Sequence, residues 1–595
     1  MIKPINELIQ KVSGPARYFG GEYGSADPAK PHDISYCLCV PDSYEVGMSN
    51  LGTKILYHLF NETEGVVCER CYAPWQDYAK YLKEHNLLLS SLESGKPLKE
   101  FDFVGFSFQF ELGYSNFFYM LELAGIPFLS AERGEAYPII AAGGPCTVNP
   151  EPMYKYIDYF FVGEGEDVCP KILEDYRSFK GKKKDFLRYL HETYDCIYVP
   201  AFYEPKYQNG KIVGFGNEKT IKKYKLRSLE NSYYPTKQIV PNVEAVHDRA
   251  VVELFRGCYN GCRFCQAGYI YRPVRMRSAE RVVELSKQIC SQCGYDELSL
   301  NSLSSGDYGG LPRVMDGLAD YAKQNNVQVT LPSLRLDSFD GAFLKLNSRS
   351  SSVTFAPEAG TQRLRDVINK NITEDDIFGS LEKAFAMGFN SIKLYFMIGL
   401  PTETMDDVEG IADLTMRVRD LFYKTPGRRS GLKISVSAST FIPKPFTPFQ
   451  WEGFDSRQSI RAKQDLLLNK LKTKNITFSW HDADCSLIEA VLARGGREIA
   501  DSLLTAYKLG AKFDAWSEYF NYGTYKKAFE THGVDVGKIV GEKDENSLLP
   551  WDFISVGVDK EFLIRERRNA YAAKTTPSCE KSCAGCGMKK EGFCK

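Results

Sequence analysis

The sequence predicts an α/β chain: an N-terminal doubly wound parallel sheet, an open (β/α)6 partial barrel, and a helical C-terminal region ending in a cysteine-rich tail. Three observations lead there. Two successive series of short apolar runs alternate with helical stretches, the pattern of βαβ units. The segments after those runs are rich in glycine and acid, as ligand-binding loops at strand C-termini are. The cysteines concentrate at two places, one mid-chain and one at the end.

Composition bounds the reading. The 595 residues suit several domains of roughly 100–200 residues each. With 43% hydrophobic and 13% aromatic residues the chain can fill cores, which excludes a disordered protein. Lys+Arg 75 against Asp+Glu 76 leaves a net charge of -1, excluding polyanion binding by the whole surface but not a local basic patch. No apolar run reaches the roughly 18–20 residues that span a bilayer. The start, Met1 to Glu7, lacks a signal peptide's apolar stretch, so a cytoplasmic protein without membrane contact is expected. In that reducing compartment 17 cysteines suggest metal or redox chemistry rather than disulfides.

In the first unit, residues 1–200, strands are expected at 34–40, 66–71, 103–108, 139–142 and 159–162, with helices at 51–60 and 112–124. Residues 201–245, and the charge run Lys180 to Lys184 before them, read as a basic, solvated connection; a polyanion contact is the second reading. In the second unit, 246–445, strands are expected at 251–255, 298–300, 327–331, 352–355, 391–397 and 433–438. Such a barrel carries its chemistry at the strands' C-terminal ends. Residues 446–595 read as mainly helical, with one strand at 476–480 followed by His481, Asp482 and Asp484, a turn that could reach the barrel mouth. Cys68-x2-Cys71 and Cys290-x2-Cys293 are each only half a metal site, and burial as small hydrophobes accounts for them.

The strongest chemical signal is Cys258-x3-Cys262-x2-Cys265, on a loop directly after an apolar strand. Three soft thiolates at one small site suit iron–sulfur ligation. Three ligands leave one iron of a [4Fe–4S] cluster open, whereas structural zinc would need a distant fourth ligand. This spacing, with Phe264 before the third cysteine, resembles the radical S-adenosylmethionine (SAM) superfamily. The resemblance implies that SAM chelates the open iron and is cleaved reductively to a 5′-deoxyadenosyl radical. It also implies roles downstream. Ser305-Gly306-Asp307 stands where the superfamily has a turn that grips the methionine amine, although it departs from the common Gly-Gly-Glu. Glu358 would bond the ribose, Arg363 would pair with the methionine carboxylate, and Gly399 belongs to a turn against the adenine.

The N-terminal sheet carries a second resemblance. Cobalamin-binding domains have Asp-x-His-x-x-Gly after the first strand; here Asp42 and Gly47 stand in place and Tyr44 replaces the histidine. Ser107, Gly143, Gly144, Gly163 and Glu164 fall where that pattern lets the cofactor approach. A phenol is a weak cobalt ligand at neutral pH. Two readings follow: cobalamin bound with a weakened lower ligand, which favours methyl transfer, or a cobalamin-type fold that has lost the cofactor.

In the tail, Cys579, Cys583, Cys586 and Cys594 can close a coordination shell, suiting an auxiliary [4Fe–4S] cluster or structural zinc. Stretches 41–52, 140–152, 162–167, 256–277, 354–370, 393–404, 513–518 and 552–557 together resemble a largely uncharacterised bacterial family of radical SAM proteins with an N-terminal B12-binding domain. The resemblance implies cobalamin-dependent radical methylation of an unactivated carbon. The alternatives are sulfur insertion of the methylthiolation type, including on RNA, with the tail cluster, or a non-catalytic RNA- or ribosome-associated metalloprotein. Implied partners are an RNA or protein substrate, an electron donor such as flavodoxin or ferredoxin, and a small separately encoded domain.

Overall fold

The structure is a computed structural model that describes residues 10–208, 211–216, 219–331, 352–428 and 431–594. The first nine residues of the expected N-terminal domain lie outside the described residues.

The N-terminal sheet comprises β1 (Ile34–Val40), β2 (Val66–Tyr72), β3 (Phe103–Ser107), β4 (Ile139–Gly143), β5 (Tyr159–Phe161) and β6 (Ile197–Tyr198). Their order is β2-β1-β3-β4-β5-β6. Every pairing is parallel except β5 with β6, an antiparallel edge strand that the expected elements omitted. Strands β1 and β2 are buried along their whole length, as continuous apolar strands between two helical layers must be. The chain leaves β1 toward β2 on one side and returns to β3 on the other, so a switch point opens between the loops after β1 and β3. Cys68 and Cys71, three apart on β2, enter different cores on opposite faces of the sheet and cannot share a metal.

The second unit forms two parallel sheets. One is β7 (Ala250–Glu253), β8 (Glu297–Asn301) and β9 (Gln328–Thr330); the other is β10 (Ser352–Glu358), β11 (Ser391–Ile398), β12 (Lys433–Thr440) and β13 (Ile476–Trp480). Six of these strands match expectation. The seventh, β13, pairs with β12 and so carries the sheet past residue 445, into the region read as helical. At β10 the register slips between Phe355 and Glu358. Pro357 lies in that stretch and has no N–H for the ladder, which favours a bulge there.

The expected solvated connection holds in part: the charge run 180–184 and the hairpin of Pro205–Gln208 with Lys211–Phe215 are largely exposed, but from Ile221 on the chain is built into the core. Ile221–Lys222 pairs with Ile554–Ser555, and Leu226, Leu229, Tyr234 and Ile239 are buried. Lys223 and Lys225 are buried too; Lys225 bonds Glu591 at 2.5 Å. The C-terminal region also packs on the N-terminal sheet. Helix Tyr114–Ala124 is buried on all sides except at Glu122, which accepts a bond from Tyr507 at 2.5 Å. Trp75 stacks edge-on against Phe513 and Trp516.

Behind the β1 loop, Arg70 is buried and bonds Glu22 at 2.8 Å and Glu93 at 2.6 Å. Replacing Arg70 with Met would strand two buried carboxylates, and loss of such a pair costs about 3–5 kcal/mol. The Arg70→Met protein should therefore unfold at clearly lower urea; an unchanged midpoint would remove this network from the list of what holds the sheet.

Candidate active site

The central cysteine loop leaves β7 through a two-residue antiparallel ladder, Phe255–Arg256 with Arg275–Met276, which closes residues 257–274 into one excursion. Gly257 lies at its neck with φ +92°, and a Cβ there would meet the Pro273 carbonyl at 2.5 Å; only glycine permits the closure. Within the loop Cys258, Cys262 and Cys265 are half-buried. Burial, reinforced by the neighbouring Cys262 and Cys258, pushes the Cys265 thiol up to about 12, so the three sulfurs share one field.

Arg263 fastens the loop. Its fully buried guanidinium bonds the Asp366, Val367 and Lys574 carbonyls and the Glu566 carboxylate. Asn369 reaches the Gly261 carbonyl at 3.1 Å. Phe264 packs among Ala359, Leu364, Phe441 and Phe449. Among the described residues no three His, Cys, Asp or Glu side chains converge on a single metal ion.

The downstream residues divide. Asn260 donates to Asp307 at 2.9 Å and lies 3.7 Å from the Cys258 sulfur, bringing Asp307 to the cysteine loop. Glu358, at φ +68° in the β10 bulge, accepts from Lys370 at 3.1 Å, and Lys370 lies close enough to Cys265 to stabilise its thiolate. Ser305 is different: it is fully buried and bonds Ser302 and the Leu300 carbonyl, so its hydroxyl belongs to the turn. Arg363 is committed to Asp407 and to Thr402. That tie binds the β10 loop to the β11 turn, where Gly399 has φ +82°. The fork expected to receive a carboxylate already holds one.

The loop after β1 corrects a larger expectation. Tyr44 is 2% exposed; its hydroxyl donates to Glu22 at 3.0 Å and accepts the Asn242 N–H at 3.0 Å. Burial, then Glu22, raises this phenol far above its ordinary range. Asp42 accepts from Ser43 and from the Trp516 indole, and a Cβ at Gly47 would meet the Tyr72 ring at 2.2 Å. These residues form a closed structural corner and do not present a cobalt ligand.

The other expected N-terminal residues do face open space. A cavity of about 580 Å³ lies between the sheet and the barrel, walled by Ser107, Gly144 and Gly163 on one side and by Arg256, Gly257 and Asn301 on the other. Its size falls among small-molecule and cofactor sites. Gly143 sits just behind, with room for a Cβ. These glycines and Ser107 fit a flat cofactor such as a corrin lying against the sheet edge; the Asp42–Tyr44 corner does not fit as its lower ligand.

Two charges line this cavity: Glu164, which the sequence singled out beside the cofactor and which is instead tied to Arg275, and Lys223, which sequence reading missed. Glu164 accepts from Arg275 at 2.6 and 2.8 Å and from the Leu226 N–H, with Arg256 3.5 Å away. Burial would raise its carboxyl, but Arg256, Lys223 and Arg275 hold it down at about 2. Lys223 is buried, its ammonium has no hydrogen-bond partner among the described residues, and burial pushes it down to about 8. It lies within a basic run, which looks solvated in one dimension. Elsewhere, Asp482 caps helix Ala483–Arg494 and Asp484 pairs with Arg457 and Arg461, while His481 lines a separate cavity of about 740 Å³ with Asp514.

Residues 252–415 match the Radical SAM superfamily, and residues 52–200 match the family described as radical SAM proteins, N-terminal. The chain is a radical SAM enzyme. That membership implies a [4Fe–4S] cluster and SAM, and the Cys258, Cys262 and Cys265 loop falls inside the matched stretch. The chain is 28% identical over 443 residues to uncharacterized protein MJ0966 of Methanocaldococcus jannaschii, covering 74% of this chain and 88% of that one. A tRNA-2-methylthio-N(6)-dimethylallyladenosine synthase of Carboxydothermus hydrogenoformans is 26% identical over 181 residues, 29% of this chain and 41% of its own. Among solved structures, the radical SAM methyltransferase TsrM of Kitasatospora setae superposes with TM-score 0.43 at 13% identity, over 70% of this chain and 75% of that one. The cobalamin-dependent enzyme OxsB superposes with TM-score 0.42 at 12% identity, over 90% and 79%. No helix among the described residues is long and apolar enough to cross a membrane.

The depressed Glu164 carboxyl sets a pH dependence. Because its folded value lies below the ordinary 4.5, it contributes stability that is complete above that value and is lost as the pH falls toward about 2. Urea midpoints should show Glu164→Gln less stable than the parent at neutral pH, with a shallower decline below pH 4.5. Parallel curves would show that the carboxylate is not what ties the sheet to the barrel.

Proposed function

We propose that this radical SAM enzyme methylates an unactivated carbon with the help of cobalamin, which would lie with the substrate in the cavity between sheet and barrel. The observation that carries the reading is that one cavity has the glycine-rich strand ends of the N-terminal sheet as one wall and the neck of the cysteine loop as the other. Cysteines 258, 262 and 265 would hold the [4Fe–4S] cluster, which when bound supplies the electron that breaks the SAM sulfonium bond. Cobalamin, when bound, would supply the methyl group.

The chain's own residues do the rest. Asp307, steadied by Asn260 beside Cys258, would accept the methionine ammonium of SAM. Glu358, with one oxygen on Lys370, has a second to offer the ribose hydroxyls. Among the described residues Lys223 is a buried donor without a hydrogen-bond partner, a costly state that an acceptor oxygen on the cavity's ligand would relieve. Tyr44, spoken for by Glu22, leaves the lower face of the corrin without a ligand from the β1 loop.

Anaerobically reconstituted protein given SAM and dithionite should release 5′-deoxyadenosine, and the Cys262→Ala protein should release none. Absence of deoxyadenosine from the parent would sink the radical chemistry. Protein made with B12 supplied should carry a corrin absorbance. Placing a bulky ring at the exposed cavity rim, Gln109→Trp, should abolish that band while leaving iron content unchanged. A spectrum showing iron–sulfur absorbance alone in the parent would remove cobalamin from the reading.

A further inference from the structure

The tail cysteines lie against the central cysteine loop. The Cys579 N–H bonds the carbonyl of Tyr259, the residue after Cys258, at 2.8 Å. Thr576 and Asn371 hold the tail's entry, through Thr576 N–H to Asn369 at 2.7 Å and Asn371 to the Thr576 carbonyl at 2.9 Å. Beyond that point the chain turns at Gly585 (φ +67°) and Gly587 (φ +109°). A Cβ at Gly587 would meet the Gly557 carbonyl at 2.8 Å. These turns bring Cys579, Cys583, Cys586 and Cys594 within electrostatic reach of one another.

Arg272 lies between the two thiol sets. It is 6% exposed; its Nε donates to the Gly268 carbonyl at 2.9 Å and a terminal nitrogen to the Asn260 carbonyl at 3.4 Å, both on the central loop. Its guanidinium also lies near enough to Cys586 and Cys579 for each thiol to bear on its charge. Among the described residues it makes no ion pair with a carboxylate. The Tyr269 and Phe562 rings, 4.7 and 5.5 Å from the guanidinium, and two carbonyls offset part of the cost of burying it, and the sulfurs beside it are the groups that can supply a full countercharge. Four cysteine thiolates around a [4Fe–4S] core carry net negative charge, which answers that need.

We propose that Cys579, Cys583, Cys586 and Cys594 hold a second [4Fe–4S] cluster, with Arg272 as its buried countercharge, and that this cluster passes electrons to the central site. The inference rests on the radical SAM reading. Cys579 and Cys583 are exposed whereas the central cysteines are half-buried, so the tail is the point of entry. Arg565, Lys581 and Lys589 make an exposed basic rim there, complementary to an acidic low-potential one-electron carrier. The carrier is oxidised by one electron; that electron resides on the tail cluster and then moves to the central one, where SAM accepts it. No bond forms or breaks at the tail. The short path through the Cys579 N–H and the Tyr259 carbonyl to Cys258 supplies the coupling.

The test uses the full chain, reconstituted anaerobically. The parent should hold about eight irons, and either a Cys258/Cys262/Cys265→Ser triple variant or a Cys579/Cys583/Cys586/Cys594→Ser quadruple variant about four. In the quadruple variant, deoxyadenosine formation driven by reduced flavodoxin should be lost, while that driven by dithionite, small enough to reach the central site directly, should persist. Arg272→Met should lower the midpoint potential of the cluster that survives in the triple variant, because a buried positive charge no longer favours the added electron. Zinc in place of iron in the triple variant overturns the proposal, as does flavodoxin-driven activity that survives the quadruple substitution. Tail sulfide consumed in turnover would overturn it in favour of sulfur insertion. If the parent makes no deoxyadenosine with dithionite, the radical reading fails, yet the iron count of the triple variant still reports on the tail.

Discussion

The buried guanidinium of Arg263 governs where the chemistry can occur. One side chain inside the cysteine loop satisfies three backbone carbonyls and a carboxylate on segments that are more than a hundred residues away along the chain. A charge removed from water needs such partners all at once, and it has them only when the β10 loop, helix Lys560–Tyr571 and the cysteine loop occupy their native positions. The loop is therefore held from outside as well as by its own ladder. That fixes the backbone that carries the three cysteines.

The same logic joins the larger parts. Glu164, at the edge of the N-terminal sheet, is held by Arg275 and Arg256 from the ladder that closes the cysteine loop. Lys225 reaches Glu591 in the tail, and Ile221–Lys222 pairs with Ile554–Ser555. These contacts make the cavity wall continuous from one sheet to the other. They also explain why Lys223 and Lys225 are buried inside a stretch dense in lysine: each has an acid, a ring or a cavity to meet, which no local count of charge reveals.

Much of the fold was legible in sequence. Strands β1 to β5 and six of the seven barrel strands follow from apolar runs between helical stretches, because burial on both faces leaves a mark in consecutive residues. The two-residue β6 and the edge strand β13 were harder to place, being too short or too exposed for pattern to assign them to a sheet. At the site, spacing alone singled out Cys258, Cys262 and Cys265. Asp307 and Glu358 were found by their positions after strands, and both come to the cysteine loop through Asn260 and Lys370, partners that carry no signature. Arg363 and Tyr44 were also chosen by their places in a family pattern, and each turned out to be engaged elsewhere.

The sequence by itself determined which atoms are available: three thiols at loop spacing, four more in a tail, and glycines where strands end. These are local facts, set by the order of neighbouring residues. Only the tertiary structure decided which groups are free. Tyr44 is closed off by Glu22 and Arg363 by Asp407, while among the described residues the Lys223 ammonium is left without a hydrogen-bond partner and Arg272 without an ion pair to a carboxylate. Pairing between charges depends on distances across the folded chain, and the cost of burying one depends on everything packed around it. Neither quantity exists until the segments have met.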